Sequence, residues 1–420
     1  MTGLVLGLDL GTSGLRSAVL DPSGVVIATA RADYPSAEPS ADVWWAGAQT
    51  CLSNQMAALQ AAGHAPADIT RIGVDGTSGS MVLTDADLVP VSPALMYDSH
   101  GFVAEAAAIA ALAPDPHISR GSNSATARAL RLMSVATEPA AHLLHQADFI
   151  AARLMGRGGL SDYNNALKTG FDPDIGGWPA WFGDLGLMDV VPDVIAPGAY
   201  AGPIADTVAD AFGLGPTTAI HAGTTDSTAA FLAAAPMDIG AAVTSLGTTL
   251  AIKILSPVRI DAPQIGLYSH KLGEGWLVGG ASNTGGGVLR SLFSDAELAS
   301  LSDQIDPSVE SPLDYYPLRR PGERFPVNDP NLAPRLIPRP EDDVAFLHGV
   351  LESIARIEAR CYAEIAARGG PQPQPLLTAG GGAQNHVWTA IRSRVLGCEI
   401  TVAQTTEAAV GVARLVQAAD

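Results

Sequence analysis

The stretch "GLDLGTSGLRSAVL", Gly7 to Leu20, decides the fold. Apolar residues run from Leu4 to the single acid Asp9, break at Gly11 to Gly14, and resume from Leu15 to Leu20. Glycines and small hydroxyls in such a break suit a phosphate, since glycine lets backbone approach closely and successive N–H groups converge on an anion. A dinucleotide fingerprint needs a helix after its glycines, yet only six residues separate Gly14 from the "DPSG" turn at Asp21 to Gly24; that is too few for a packing helix. A Walker A loop needs Gly-Lys, and the chain contains no such dipeptide. A strand-turn-strand phosphate loop remains, in which Gly11 and Gly14 permit approach and Thr12 and Ser13 face the phosphate. Asp9, at the strand end, suits a magnesium ion held directly or through water, because magnesium takes few protein oxygens and keeps part of its hydration. The competing reading is a plain glycine-serine hairpin whose Asp9 satisfies turn amides.

Outward from this loop, the pattern predicts a third strand at Val25 to Ala30, a helix over Trp44 to Ala62 and a strand at "ITRIGVDG", Ile69 to Gly76. A second strand-turn-strand stands at "AAVTSLGTTLAIKIL", Ala241 to Leu255, where "LGTT" echoes the "LGTS" of residues 10 to 13. Three glycine loops follow strand-like runs in this half: "SLGTTLA" at 245 to 251, "GGASNTGGG" at 279 to 287 and "TAGGGAQN" at 378 to 385. Together with the first loop they point to a nucleotide site. The proline-rich stretch 312 to 343 is expected to be an extended surface segment. A helix from Val344 to Arg368, a strand at "PLLTAG", a helix at Val387 to Leu396, a strand at "CEITVA" and a helix from Glu407 complete an α/β chain.

With 420 residues and 47% hydrophobic content, the chain is long enough for two domains with separate cores. A net charge of −19 with no basic run argues against nucleic acid and anionic membrane as partners, and requires a local device wherever an anionic nucleotide binds. Cys51, Cys361 and Cys398 are too scattered for a disulfide framework or a thiolate zinc site. No basic leader and no run of about 18 uncharged apolar residues is seen, so a cytoplasmic protein is expected.

One further acid stands out, Asp226 in "HAGTTDSTAAF", His221 to Phe231. At a helix start, a carboxylate can cap the first turn. It can equally act as a general base, receiving a hydroxyl proton as the oxygen attacks a γ-phosphorus. Spacing leaves both readings open.

Taken in order, "GLDLGTSGLRSAVLD", "HAGTTDSTAAF", "SLGTT", "PGERFP" and "TAGGGAQN" resemble the motifs of the FGGY carbohydrate kinases, members of the actin, Hsp70 and hexokinase fold superfamily. The resemblance implies two ribonuclease-H-like domains flanking a nucleotide cleft: a sugar-binding domain of residues 1–235 plus about 405–420, and an ATP-binding domain of residues 236–404. It implies Asp226 as catalytic base and Asp9 as magnesium-linked acid. It further implies Gly11, Thr12, Ser13, Gly247, Thr248, Gly285, Gly381, Gly382 and Asn385 as nucleotide contacts, and an ordering ion pair between Glu323 and Arg324. For the sugar it points to Asp9, Ser78 and Asp226, with Asp98 and either Asn164 or Lys168. The Gln-Met-His of many xylulose kinases is replaced by Thr77, Ser78 and Gly79, and a Trp-x-Asp-x-Arg contact segment is reduced to "MYDSHG". "GVDGTSGS" instead resembles the short ribulose kinases of cyanobacteria and plants. The expected activity is ATP- and magnesium-dependent phosphorylation of a free pentulose, D-ribulose to D-ribulose 5-phosphate, by a monomer or homodimer. D-Xylulose kinase is the alternative, and a nucleotide-gated actin-like binding protein is the alternative of another class.

Overall fold

The computed structural model describes residues 3–419, which form two compact units. The first holds residues up to Ala233 and the C-terminal stretch from Thr405; the second holds Ala234–Gln404.

In the first unit, β1 (Leu4–Leu10), β2 (Gly14–Leu20) and β3 (Val26–Asp33) form an antiparallel meander, followed by α1 (Ala41–Ala61). The break between β1 and β2 is a tight turn closed by the Gly11 N–H on the Gly14 carbonyl (3.0 Å). β4 (Ile69–Gly76) lies parallel to β1. A polar and aromatic excursion comes next: β5 (Met81–Thr84), α2 (Val103–Leu112), α3 (Ala125–Val135), β6 (His142–His145), α4 (Gln146–Met155), β7 (Leu160–Asp162), α5 (Tyr163–Thr169) and β8 (Asp193–Ile195). The chain then returns through β9 (Tyr200–Pro203), α6 (Asp206–Phe212), β10 (Ala219–Thr225) and α7 (Asp226–Ala234). The sheet order is β3-β2-β1-β4-β10-β9, with β10 parallel to β4.

β1 is buried along its whole length, which explains its nearly unbroken apolar run. One face receives α1 through Trp44, Cys51, Leu52 and Leu59. The other receives the last helix of the chain, whose Val410, Ala413 and Val416 pack on Val5, Ala18 and Leu20. Gly7 permits that contact, since a Cβ there would sit 1.9 Å from the Ala409 carbonyl oxygen.

The second unit repeats the scheme. β11 (Ala242–Leu246) and β12 (Leu250–Ser256) form a hairpin, β13 (Tyr268–Leu272) and β14 (Gly275–Ser282) extend it, and β15 (Leu376–Ala379) and β16 (Ile400–Val402) add in parallel. The order is β13-β14-β12-β11-β15-β16. Between the strands run α8 (Gly286–Leu292), α9 (Asp295–Ser302), α10 (Asp343–Ala366) and α11 (His386–Leu396); α12 (Ala408–Gln417) closes the first unit.

The proline-rich segment differs from the surface strap expected. Tyr315, Leu318, Glu323 and Phe325 are each at most 3% exposed. The prolines do prevent regular structure, but Tyr315 and Phe325 plug into the core that α10 covers. Glu323 and Arg324 likewise form no ion pair. The Glu323 carboxylate accepts from Ser282 Oγ and the Asn283 amide (2.6 Å each), while Arg324 Nε donates to Asn283 Oδ1 (2.8 Å). Both residues fasten the segment to the end of β14.

Candidate active site

Three acids gather at one edge of the first unit's sheet. β1 and β4 run parallel with Gly7 opposite Gly73 and Asp9 opposite Asp75, so the two carboxyls leave the same sheet face. β10 delivers Thr224 opposite Asp75, and Asp226 opens α7 two residues later. Asp9 is 5% exposed and Asp75 fully buried, whereas Asp226 is half-buried. Burial raises Asp9 above the usual carboxylate range, and the Asp226 charge adds to the rise; the hydrogen bond to Asp75 and the Arg16 guanidinium oppose it. Asp75 is raised further, by burial first and then by the Asp9 charge. No amide or hydroxyl of the described residues bonds either Asp75 oxygen, and Asp9 stands opposite it across the β1–β4 pair. Arg16, largely exposed on β2, stands 3.8 Å from Asp9 and 3.7 Å from Glu407.

The turn beside these acids is rigid. The Tyr34 hydroxyl donates to the Gly11 carbonyl (3.2 Å) and the Tyr34 N–H to that of Ser13 (3.1 Å). Thr12 and Ser13 remain exposed. A phosphate could reach their hydroxyls without displacing either contact.

Asp226 has one oxygen fixed by the Ser227 N–H at 2.6 Å, as a helix-opening carboxylate should. Behind it lies a buried polar layer. Asn164 Nδ2 donates to Thr224 Oγ1 (3.0 Å), and Asp162 caps α5 by accepting from the Asn164 and Asn165 amides (2.8 and 3.2 Å). His145 bridges Asp148 (2.6 Å) and Thr169 (2.8 Å). Asp162 is raised to about 7, by burial first and then by the Asp148 charge.

Ser78 borders a cavity with Arg128 and Lys168, and Asp98 is exposed on the neighbouring loop, where its charge acts on Arg128. In the turn after β4 the Thr77 hydroxyl is bonded to Ser80 and Gln146 (2.6 Å each).

In the second unit the glycine loops converge. The Gly286 and Gly287 amides donate to the Gly247 and Thr248 carbonyls (3.0 Å each), so the β11–β12 turn sits on the start of α8. Gly285 holds φ +135°, and a Cβ there would meet the Thr249 carbonyl carbon at 2.7 Å. Gly380, at φ +84°, backs onto the Leu246 carbonyl in the same way, and Gly381 and Gly382 follow it in an exposed turn. The Asn385 side chain is engaged within the unit. Its Oδ1 accepts from the Trp388 N–H (2.9 Å) and its Nδ2 donates to Ser302 (2.8 Å), so it caps α11 and shapes the loop.

Asp75, Arg16 and Asp162 escaped the sequence reading as site residues, whereas Asn164 of the buried layer is among the sugar contacts that the resemblance implies. The signal for Asp75 was present: "GLDLG" and "GVDG" repeat Gly-x-Asp on strands that pair in register. Nothing local marks Asp162 or Arg16.

Residues 242–419 match the C-terminal domain of the FGGY family of carbohydrate kinases. Across 99% of its length the chain is 25% identical to a xylulose kinase of Escherichia coli, spanning 90% of that protein. Its fold is that of a xylulose kinase from Rhodospirillum rubrum (TM-score 0.83, 20% identity, 98% of this chain and 89% of that one). It is equally that of a Plasmodium falciparum glycerol kinase solved with ADP (TM-score 0.82, 14% identity, 99% and 89%). At these identities the likeness is one of fold. No helix among the described residues is long and apolar enough to cross a membrane.

Proposed function

We propose that the enzyme transfers the γ-phosphoryl group of ATP to the C5 hydroxyl of a free pentulose, D-ribulose first. The observation that carries this reading is Asp226, half-buried at the opening of α7 and within electrostatic reach of Asp9 and Asp75. Its carboxylate is assigned to receive the hydroxyl proton as the sugar oxygen bonds to the γ-phosphorus and the β–γ bridging bond breaks, releasing ADP. The exposed Thr12 and Ser13 hydroxyls and the Gly247–Thr248, Gly285 and Gly381–Gly382 loops are assigned to the phosphates and nucleoside, with Asn385 holding the last of these in shape. The first unit is assigned to the sugar and the second to ATP.

Asp9, buried at the end of β1, suits a hard cation that takes few protein ligands, and magnesium shared with the nucleotide phosphates is assigned there. Magnesium would supply charge neutralisation on the phosphates. Three free cysteines suit a reducing cytoplasm.

The Asp75-containing "GVDGTSGS" supports ribulose, whereas the names of the relatives support D-xylulose as second reading. A coupled ADP-release assay across D-ribulose, D-xylulose, L-ribulose and ribitol decides between them. ATP turnover highest with D-ribulose sustains the proposal; preference for D-xylulose replaces it. Turnover indifferent to every sugar makes the protein a nucleotide-gated binder.

A further inference from the structure

Two strands and two helices of the second unit meet at one buried ion pair. Arg392 of α11 grips Glu358 of α10 with two hydrogen bonds, Nε to Oε2 (2.6 Å) and Nη2 to Oε1 (2.7 Å), and neither side chain is exposed. The pair reaches the sheet through both of its members. Thr244 Oγ1 on β11 donates to Glu358 Oε1 (2.6 Å), with the Tyr362 hydroxyl within bonding distance (3.0 Å), and Arg392 Nη1 donates to Thr378 Oγ1 on β15 (2.8 Å). Thr244 and Thr378 stand opposite each other in the β11–β15 pair, and Thr378 Oγ1 donates to the Thr244 carbonyl (3.4 Å).

From this node each strand runs only briefly to its glycine loop, β11 through Leu246 to Gly247 and Thr248, β15 through Ala379 to Gly380, Gly381 and Gly382. The second loop also rests on the end of β11. A Cβ at Gly380 would stand 2.7 Å from the Leu246 carbonyl oxygen, and one at Gly382 would stand 2.8 Å from Leu246 Cβ. Any splay of β15 from β11 therefore moves one loop against the other. Stability by itself does not call for a buried pair, because desolvating two charges offsets most of their attraction and apolar residues of similar volume often serve a core equally well. What a bidentate guanidinium adds is a fixed planar geometry. Here that geometry spans the two strands that carry the loops.

We propose that Glu358 and Arg392 are positioning residues for nucleotide: they lock β11 against β15, so that the Gly247–Thr248 and Gly380–Gly382 loops keep the separation a nucleoside phosphate requires. Both are buried beneath the loops' strands and act through them. The inference rests on the assignment of nucleotide to the second unit, and it adds which buried groups set that unit's affinity.

Titration calorimetry of the full chain with ADP, beside thermal unfolding, tests the pair in the double variant Glu358→Leu/Arg392→Met. Removing both charges together strands neither, so the midpoint is expected to stay within about 5 °C of the parent's. ADP affinity is expected to fall about tenfold, the upper range for residues that modulate a site without touching its ligand. A merely structural role moves the midpoint and leaves the affinity of the folded protein alone. Thr244→Val keeps the ion pair and cuts its bond to β11, so it carries the test if the double variant fails to fold; a loss of about threefold is expected, the worth of one hydrogen bond. Parental ADP affinity in the double variant, or in Thr244→Val where only that one folds, overturns the proposal, as does a parent that binds no ADP. ADP binding without phosphorylation of any sugar removes the kinase reading and leaves the positioning role standing.

Discussion

The two six-stranded sheets are variations of one scheme with opposite treatments of charge. Each places three antiparallel strands beside two parallel ones: β3-β2-β1 with β4 and β10 in the first unit, β14-β12-β11 with β15 and β16 in the second. In the first, β1 and β4 carry Asp9 and Asp75, whose buried carboxyls have no full cationic partner and are both pushed above the usual carboxylate range by burial. In the second, the corresponding strands β11 and β15 carry Thr244 and Thr378, bonded to a fully buried Glu358–Arg392 pair (2.6 and 2.7 Å). One sheet keeps unsatisfied acid at its edge; the other buries a satisfied ion pair and ends its strands in glycine. The contrast teaches that shared topology leaves chemistry to the strand ends, where a proton acceptor and a phosphate cradle require different residues.

Breaking the acidic edge has the largest expected effect. Asp226→Asn is expected to lower kcat by about 10²–10⁴, the usual worth of positioned base catalysis, while ATP affinity in a fluorescence titration stays at the parental value. A parental kcat removes Asp226 from the mechanism.

Breaking the paired charge acts on stability instead. Arg392→Met strands Glu358 in the core and is expected to cost about 3–5 kcal/mol in urea unfolding of the second unit. The counterpart Asp75→Asn removes a group that burial already disfavours in its charged form, so stability at pH 8 is expected to hold or rise by on the order of 1 kcal/mol. Equal losses in both variants would erase the distinction between the sheets.

Gly285→Ala tests the cradle. Its φ of +135° and the 2.7 Å contact with Thr249 make any Cβ strained there, and a loss of about 1–2 kcal/mol in nucleotide binding is expected by calorimetry.

A pH-dependent test concerns Asp162, whose carboxyl moves from an ordinary value of 3.8 up to about 7 on folding. The folded state then binds the extra proton between those values, so this group's stabilisation is complete below pH 3.8 and is lost as pH rises through 7. Thermal unfolding from about pH 4 to pH 7 should show a flatter profile in Asp162→Asn, which keeps an N-cap acceptor; an identical slope overturns the assignment of the proton.

The sequence by itself determined the elements around the opening loop, because strand alternation, glycine breaks and the absence of room for a helix are local facts. It also carried a resemblance to one kinase family, through five short motifs in order, and marked the three glycine loops of the second unit. What it could not settle were pairings that need distant strands in register. Only the tertiary structure set Asp75 behind Asp9, drew the proline-rich segment into a core, turned Asn385 into a helix cap and paired Glu358 with Arg392. Each of these depends on which groups burial deprives of water, and that is decided by packing between residues far apart in the chain.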